Sequence, residues 1–575
     1  MSLLCVAVRG GRGPVRGRDF FFKPPGGGRK GGEIKHTRGN FPGVPLDRDK
    51  CTCMLDRCFC LRDRAAMPMM AARHACVSFL VLVAVIMAHQ TTAKPSPSDY
   101  ATEAQSIINS LLPGGSCADQ AWHKLAALTD TVGNRVCGSP SLERASSYML
   151  SVWQAEGFDN VHGENVTVPH WQRGDEECTM LSPRLGYRMQ ILGLGTSIGT
   201  PEGRPIEAHV LVVRNFDELA AFGKAGQVQG KIVLLNYACD WSSNPVGCYG
   251  ACAKYRGEGA SRAARWGAVA YLVRSLASAS IGSPHTGMQR YASSKAEDQI
   301  PAAAVTVEDA EALARMQARG QDVVLRLSMG AQNLPARQAR NVVAEWRGRE
   351  LPDEVVLLSG HLDSWDVGVG AMDDGGGLVI SWQALSTLRA LHWRARRTIR
   401  VVGWVGEEFG GIGGRQYFDD HREEKVVLVI ESDMGAFRPR GLSFSGGVDA
   451  ASVMADVGSL LGGINATLVA RDGKGYETDT QPWKAVGVPG ASLISENERY
   501  FAYHHSHGDQ MNVLQPGDMD LAAAVFAVTA FVVADLDEAL PKGDERGEGE
   551  KGKMKEEKER QRMRKGNAGS GLAVS

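Results

Sequence analysis

Three near-continuous apolar runs constrain this chain most: "EVVLLSG" at 354–360, "RTIRVVGWVG" at 397–406 and "KVVLVIES" at 425–432. Strands apolar on both sides persist only where helices cover both faces of the sheet. From about Asn341 the pattern repeats strand, loop and helix, with "GGGLVISWQALSTLRAL" as the first helix after a strand. This part of the chain is therefore expected to be an α/β sheet with helices on both faces. The run "LAAAVFAVTAFVVADL" at 521–536 is apolar enough to suggest a membrane span. With Asp518 and Asp520 before it and Asp535 in its last turn, it is expected to be a buried core helix instead.

At 575 residues the chain exceeds what one hydrophobic core fills, so more than one structural unit is expected. A net charge of −1 gives no electrostatic case for a nucleic-acid partner. Residues 1–66, rich in Arg, Gly and Pro, are expected to be an upstream leader outside the fold, with Met67, Met69 or Met70 as the initiator. The cysteines of "CTCMLDRCFC" inside it lack the histidines and spacing of a zinc motif. Residues 67–93 have the three parts of a secretory signal peptide. Their apolar stretch, from about Ala75 to Ala88, is shorter than the roughly 20 residues a spanning helix needs. A secreted or lysosomal protein is expected, with no stable membrane span. The sequons at Asn165 and Asn465 fit that route. Six cysteines follow the signal, and the trio in "CDWSSNPVGCYGAC" is expected to hold one local disulfide. Between 186 and 335, strand-like runs such as "HVLVVRN", "GKIVLLNY" and "WGAVAYLVRS" are sufficient for a second, smaller core. The "LGLGTSIG" among them has the wrong glycine spacing for a dinucleotide site and reads as a turn. The charge-dense tail 542–575 lacks the apolar residues to fold.

Ligands of α/β sheets gather at the carboxyl ends of the strands. His361 and Asp363 follow the first apolar run, Glu407 and Glu408 the second, and Asp433 the third. Asp373 precedes the glycine run that opens a helix, and "YFAYHHSHGD" supplies His504, His505 and His507. Taken singly, each is more often a solvated loop residue. Three successive strands ending in acid or histidine are hard to explain as surface, and divalent cations would hold such a cluster together. No cysteine follows Cys252, so a metal site here must use His and carboxylates, a donor set that suits zinc, with manganese or cobalt as substitutes. A carboxylate able to bridge suggests a pair of ions. The doublet Glu407-Glu408 can divide labour, one carboxylate on metal and the other free to accept a proton.

The segments "SGHLDSWDVGVGAMDDGGG", "GEEFGGIGG", "ESDMG", "GVPGASL" and "HHSHGD" resemble the two-zinc exopeptidases of metallopeptidase family 28. The likeness extends through "DTVGNRVCGSPSLERA" and "SIGSPHTGMQ" and covers about 105 to 540. It implies a zinc-exopeptidase (phosphorylase/hydrolase-like) fold with a mixed sheet. The peptidase domain would occupy 117–185 and 336–541, around an inserted protease-associated-like domain at 186–335. A pro-segment at 94–116 and a homodimer are also implied. Residue by residue, His361 and Asp433 would bind the first zinc, Glu408 and His505 the second, and Asp373 both. Glu407 would be the general base, and Asp363 would orient the site without binding metal. The implied activity is hydrolysis of dipeptides or short peptides as a carboxypeptidase or dipeptidase. An aminopeptidase of the same fold is the alternative. A catalytically silent receptor or scaffold and a single-zinc acyl-transfer enzyme are weaker ones. Where relatives have a short loop, this chain reads "RDGKGYETDTQPW", which keeps Asp479 and Trp483 but adds basic and bulky residues.

Overall fold

The computed structural model describes residues 95–543, apart from Ser280 and the side chain of Glu297. The expected leader 1–66, the signal 67–93 and the tail from 544 onward lie outside the described residues. In chain order, β1 (Asp159–Gln172) comes first. It is followed by β2 (Glu176–Ser182), β3 (Tyr187–Met189), β4 (Ile191–Gly193), β5 (Ile206–Val213), β6 (Ile232–Leu235), β7 (Ala270–Arg274), β8 (Ala302–Val305) and β9 (Val324–Met329). Then come β10 (Gln332–Trp346), β11 (Leu351–His361), β12 (Arg397–Trp404), β13 (Lys425–Glu431), β14 (Pro439–Ser445), β15 (Leu468–Ala470) and β16 (Gly490–Ser495).

These form two mixed eight-stranded sheets. The first runs β1-β10-β12-β11-β13-β16-β14-β15, and its centre, β12, β11, β13 and β16, is parallel. Every residue of β12 is buried, as are the last seven of β11 and the last six of β13. One face packs under helices Gly376–Ala390 and Pro516–Asp535. The other packs Val355, Leu357, Val402 and Val429 against Tyr417 and Trp483. Each such aliphatic side chain contributes about 1.5–3 kcal/mol on burial. This two-sided burial is the reason the runs lack polar alternation.

The second sheet runs β3-β2-β9-β5-β6-β7-β8-β4 and has its own apolar layers on both faces. It takes in β2, ahead of residue 186. The alternation in "EECTMLS" places Cys178 and Met180 inside, and β2 pairs antiparallel with β9. The segment "LGLGTSIG" ends β4 and turns.

Pro516–Asp535 is the one described helix long and apolar enough to cross a membrane, and it is buried against the first sheet. Among its neighbours is helix Ala101–Leu111, which buries Ala104, Ile107, Ile108 and Leu111. The Tyr100 hydroxyl donates to the Asp535 carbonyl at 2.9 Å. The segment 95–116 is thus integrated into the core, and removing it as a pro-segment would uncover that apolar face. Cys239 and Cys248 form the expected local disulfide. Cys117, Cys137, Cys178 and Cys252 are buried free thiols.

Candidate metal centre

The register sets His361 opposite Trp404 and Ser359 opposite Glu431, so the carboxyl ends of β11, β12 and β13 lie level. The acids and histidines after them therefore meet in one place. His361 Nε2 lies 3.2 Å from Asp373 Oδ1 and 3.2 Å from Asp433 Oδ1. His505 Nε2 lies 3.2 Å from Asp373 Oδ2 and 3.0 Å from Glu408 Oε2. Asp373 thus turns one carboxylate oxygen to each histidine. Glu407 stands beside the first group, its Oε2 4.0 Å from His361 Nε2. All five expected metal residues and the expected base are brought together.

Asp363 does not join them. Its Oδ1 accepts the amides of Gly406 (2.8 Å) and Glu407 (3.2 Å), and its Oδ2 accepts the amide of Glu408 (3.3 Å) and the Cys137 thiol (3.4 Å). Three consecutive amides on one carboxylate fix the directions in which Glu407 and Glu408 leave the turn. The Asp363 carbonyl also accepts His361 Nδ1–H at 2.9 Å, which leaves the Nε2 lone pair facing Asp373 and Asp433.

Several further residues support the cluster. Asp509 accepts the amides of Met372 (2.7 Å) and Asp373 (3.2 Å). Asp374 accepts those of His361 (3.1 Å) and Gly377 (3.0 Å), tying the strand end to the helix start. A Cβ on Gly377 would meet the Ser432 carbonyl at 2.0 Å and the Asp374 carboxylate at 2.4 Å, so this approach requires glycine. Arg135 is fully buried and clamps the loop from 362 to 370 through its carbonyls. Of the other histidines, His504 stacks on His505 with its Nε2 3.4 Å from Asp373 Oδ2, and His507 is exposed. In the 471–483 loop, Asp479 and Trp483 are buried and Tyr476 turns into the core, its hydroxyl donating to the Val488 carbonyl. The ring of Tyr476 therefore turns away from the cluster, Thr478 of the same loop hydrogen-bonds Glu407, and Arg471 and Lys474 are exposed.

Burial drives the electrostatics. It pushes the carboxyls of Glu407 and Asp433 above the usual range and that of Glu408 to about 7. Burial also acts on Asp373, but the imidazoles of His361 and His505 beside it outweigh burial and hold that carboxyl low. Asp373 Oδ2 and Glu408 Oε1 are buried without a hydrogen-bond donor. Buried carboxylate oxygens left without a donor require compensation. His361, Asp373 and Glu408 offer ligand atoms within 4.8 Å of one another, as do Asp373, His504 and His505. The residues present fit divalent cations, with no thiolate among them.

A buried histidine–carboxylate cluster at parallel strand ends, with a glutamate beside it, is the arrangement of a metal-dependent hydrolase. The profile of peptidase family M28 matches residues 341–530, which contain every one of these side chains. Carboxypeptidase Q of Bos taurus is 50% identical over 452 residues, covering 78% of this chain and 92% of the relative. Carboxypeptidase Q of Homo sapiens is 48% identical over 442 residues, 76% of this chain and 90% of the relative. A solved peptidase M28 precursor from Shewanella amazonensis superposes with a TM-score of 0.73 at 31% identity, covering 78% of this chain and all of that one. The chain belongs to peptidase family M28, with carboxypeptidase Q among its relatives, and is a metallo-exopeptidase.

Proposed function

We propose that this enzyme holds two zinc ions and hydrolyses dipeptides or short peptides from the carboxyl end, as a carboxypeptidase or dipeptidase. The observation that carries the pair of ions is Asp373, whose two oxygens face two different histidines. In this proposal His361, Asp433 and Asp373 hold the first ion, and Asp373, Glu408 and His505 the second. Zinc, when bound, acidifies a water towards a pKa of ~7 and polarises the peptide carbonyl.

The chain's own groups do the rest. Glu407 accepts the proton of the attacking water and returns it to the amine nitrogen that leaves. Burial raises its carboxyl above its ordinary value, the direction that favours a general base. Asp363 acts as a positioning residue through the amides of the Glu407-Glu408 turn. The carboxypeptidase name of the relatives, at 48–50% identity over most of the chain, supports action at the carboxyl end. Passage through the secretory route to a secreted or lysosomal location is part of the same proposal. Exposed Asn165 and Asn465 and the Cys239–Cys248 disulfide support it. Homodimer assembly is carried only by the family resemblance.

Hydrolysis of one dipeptide in free, N-acetylated and C-amidated forms tests the specificity. Amidation is expected to lower kcat/KM by ~10²-fold or more, since a group built to receive the carboxylate is left unpaired. An acetylated substrate that is still cleaved marks a carboxypeptidase, and one that is not marks a dipeptidase. Loss on acetylation with none on amidation would make the enzyme an aminopeptidase and overturn the proposal.

A further inference from the structure

The segment that carries the second sheet reaches the metal centre at one point. Helix Pro245–Ala264 and the loop after β7 bring Tyr249, Arg256 and Thr286 against the turn that carries His504 and His505. The Thr286 amide donates to the His505 carbonyl at 2.9 Å, and the Ser278 amide to the Phe501 carbonyl at 3.0 Å. The Tyr249 ring stacks on Phe501 with centroids 5.0 Å apart and meets His504 edge-on at 5.1 Å. His505 itself stands at φ +60°, left-handed backbone that a histidine holds only with support.

Its ring is held from the same side. His505 Nδ1 lies 3.4 Å from the Thr286 carbonyl oxygen and 3.5 Å from Arg256 Nη1. Arg256 Nη1 donates to that same carbonyl at 3.3 Å, and Nη2 donates to the Tyr249 hydroxyl at 2.8 Å. A guanidinium only donates, and a carbonyl accepts twice. The consistent set has His505 Nδ1–H and Arg256 Nη1–H sharing the two lone pairs of the Thr286 oxygen. In that tautomer the lone pair of His505 sits on Nε2, facing Glu408 and Asp373. The guanidinium is buried over Gly287, at φ +134°, where a Cβ would come within 2.3 Å of Nη1. Glycine at 287 leaves the room that Arg256 fills.

We infer that Arg256 is a positioning residue for the second metal ion, holding the Thr286 carbonyl as the acceptor that fixes the ring and tautomer of His505. The inference rests on the two-zinc proposal. Retention of one ion then depends on a residue 249 positions from its histidine, contributed by the other sheet's segment. Loss of such an outer partner weakens metal binding by roughly 10–100-fold.

The test uses the full chain and zinc itself, with bound zinc measured across a series of chelator-buffered free zinc concentrations. In Arg256→Met the second equivalent is expected to require roughly 10–100-fold more free zinc while the first is unchanged. Arg256→Lys should recover part of the loss, because an ammonium can still donate to the Thr286 carbonyl. Tyr249→Phe, which removes one hydroxyl, should shift the second equivalent in the same direction by less. A wild type that binds fewer than two ions would sink the two-zinc proposal itself. A wild type that binds two, with Arg256→Met and Tyr249→Phe equal to it, would overturn the role of Arg256 alone. If Arg256→Met does not fold, Tyr249→Phe decides, and an unshifted second equivalent there overturns the inference.

Discussion

Glu407→Gln is expected to lower kcat by roughly 10²–10⁴-fold, the usual contribution of a general base. Zinc content, fold and KM should stay near wild type. The carboxylate stands at the border of the cluster, 4.0 Å from His361 Nε2, and the amide is its isostere. A loss confined to kcat is the signature of a group that acts in the transition state only. Glu408→Gln should fail differently. Glu408 Oε2 is 3.0 Å from His505 Nε2, so its loss leaves Asp373 and His505 to hold the second ion. Occupancy should then fall towards one zinc, and added zinc should restore part of the activity. Metal content and steady-state kinetics of the two purified variants separate the cases. Swapped phenotypes would exchange the two roles, and two near-wild-type variants would remove both residues from the mechanism.

Arg135→Met is expected to destabilise the protein by about 3–5 kcal/mol, because it strands several buried carbonyls at once. Nε donates to the Leu362 carbonyl at 2.5 Å, Nη1 to Val369 at 2.6 Å, and Nη2 to Gly370 at 2.8 Å. These three carbonyls span the loop that joins His361 to Asp373. The charge also sits among Asp509, Asp363, Asp374 and Asp373, so methionine leaves those acids less compensated. Chemical denaturation should show a lower midpoint at an unchanged slope. A change within ~0.5 kcal/mol, the range of ordinary surface substitutions, would mean that water replaces the clamp without cost.

The central sheet and the cluster were legible in the sequence for one reason: strands buried on both faces leave uninterrupted apolar runs, and the residues just after each run mark a sheet end. His361, Glu407, Glu408 and Asp433 sit at such ends, so their positions could be read one by one. Asp373 and His505 lie on loops, and only the family resemblance assigned them. Asp363 was expected to orient the site, and it accepts the amides of the Glu407-Glu408 turn. Arg135 left no trace because its partners are backbone carbonyls, which any sequence supplies. The role of Asp509 could not be read, since its donors are the backbone amides of Met372 and Asp373. The strand Glu176–Ser182 was missed because only Cys178 and Met180 are buried in it, too short an alternation to stand out. Contacts such as Thr286 with His505 join residues more than 200 positions apart, and no local pattern encodes them.

Metal analysis of the dialysed wild-type protein tests the central claim most directly. Two equivalents of zinc per chain are expected, held by nitrogen and oxygen donors alone, because no sulfur lies among the six clustered side chains. Zinc that is absent, or that X-ray absorption shows bound to sulfur, would contradict a site built on His361, Asp373, Glu408, Asp433 and His505.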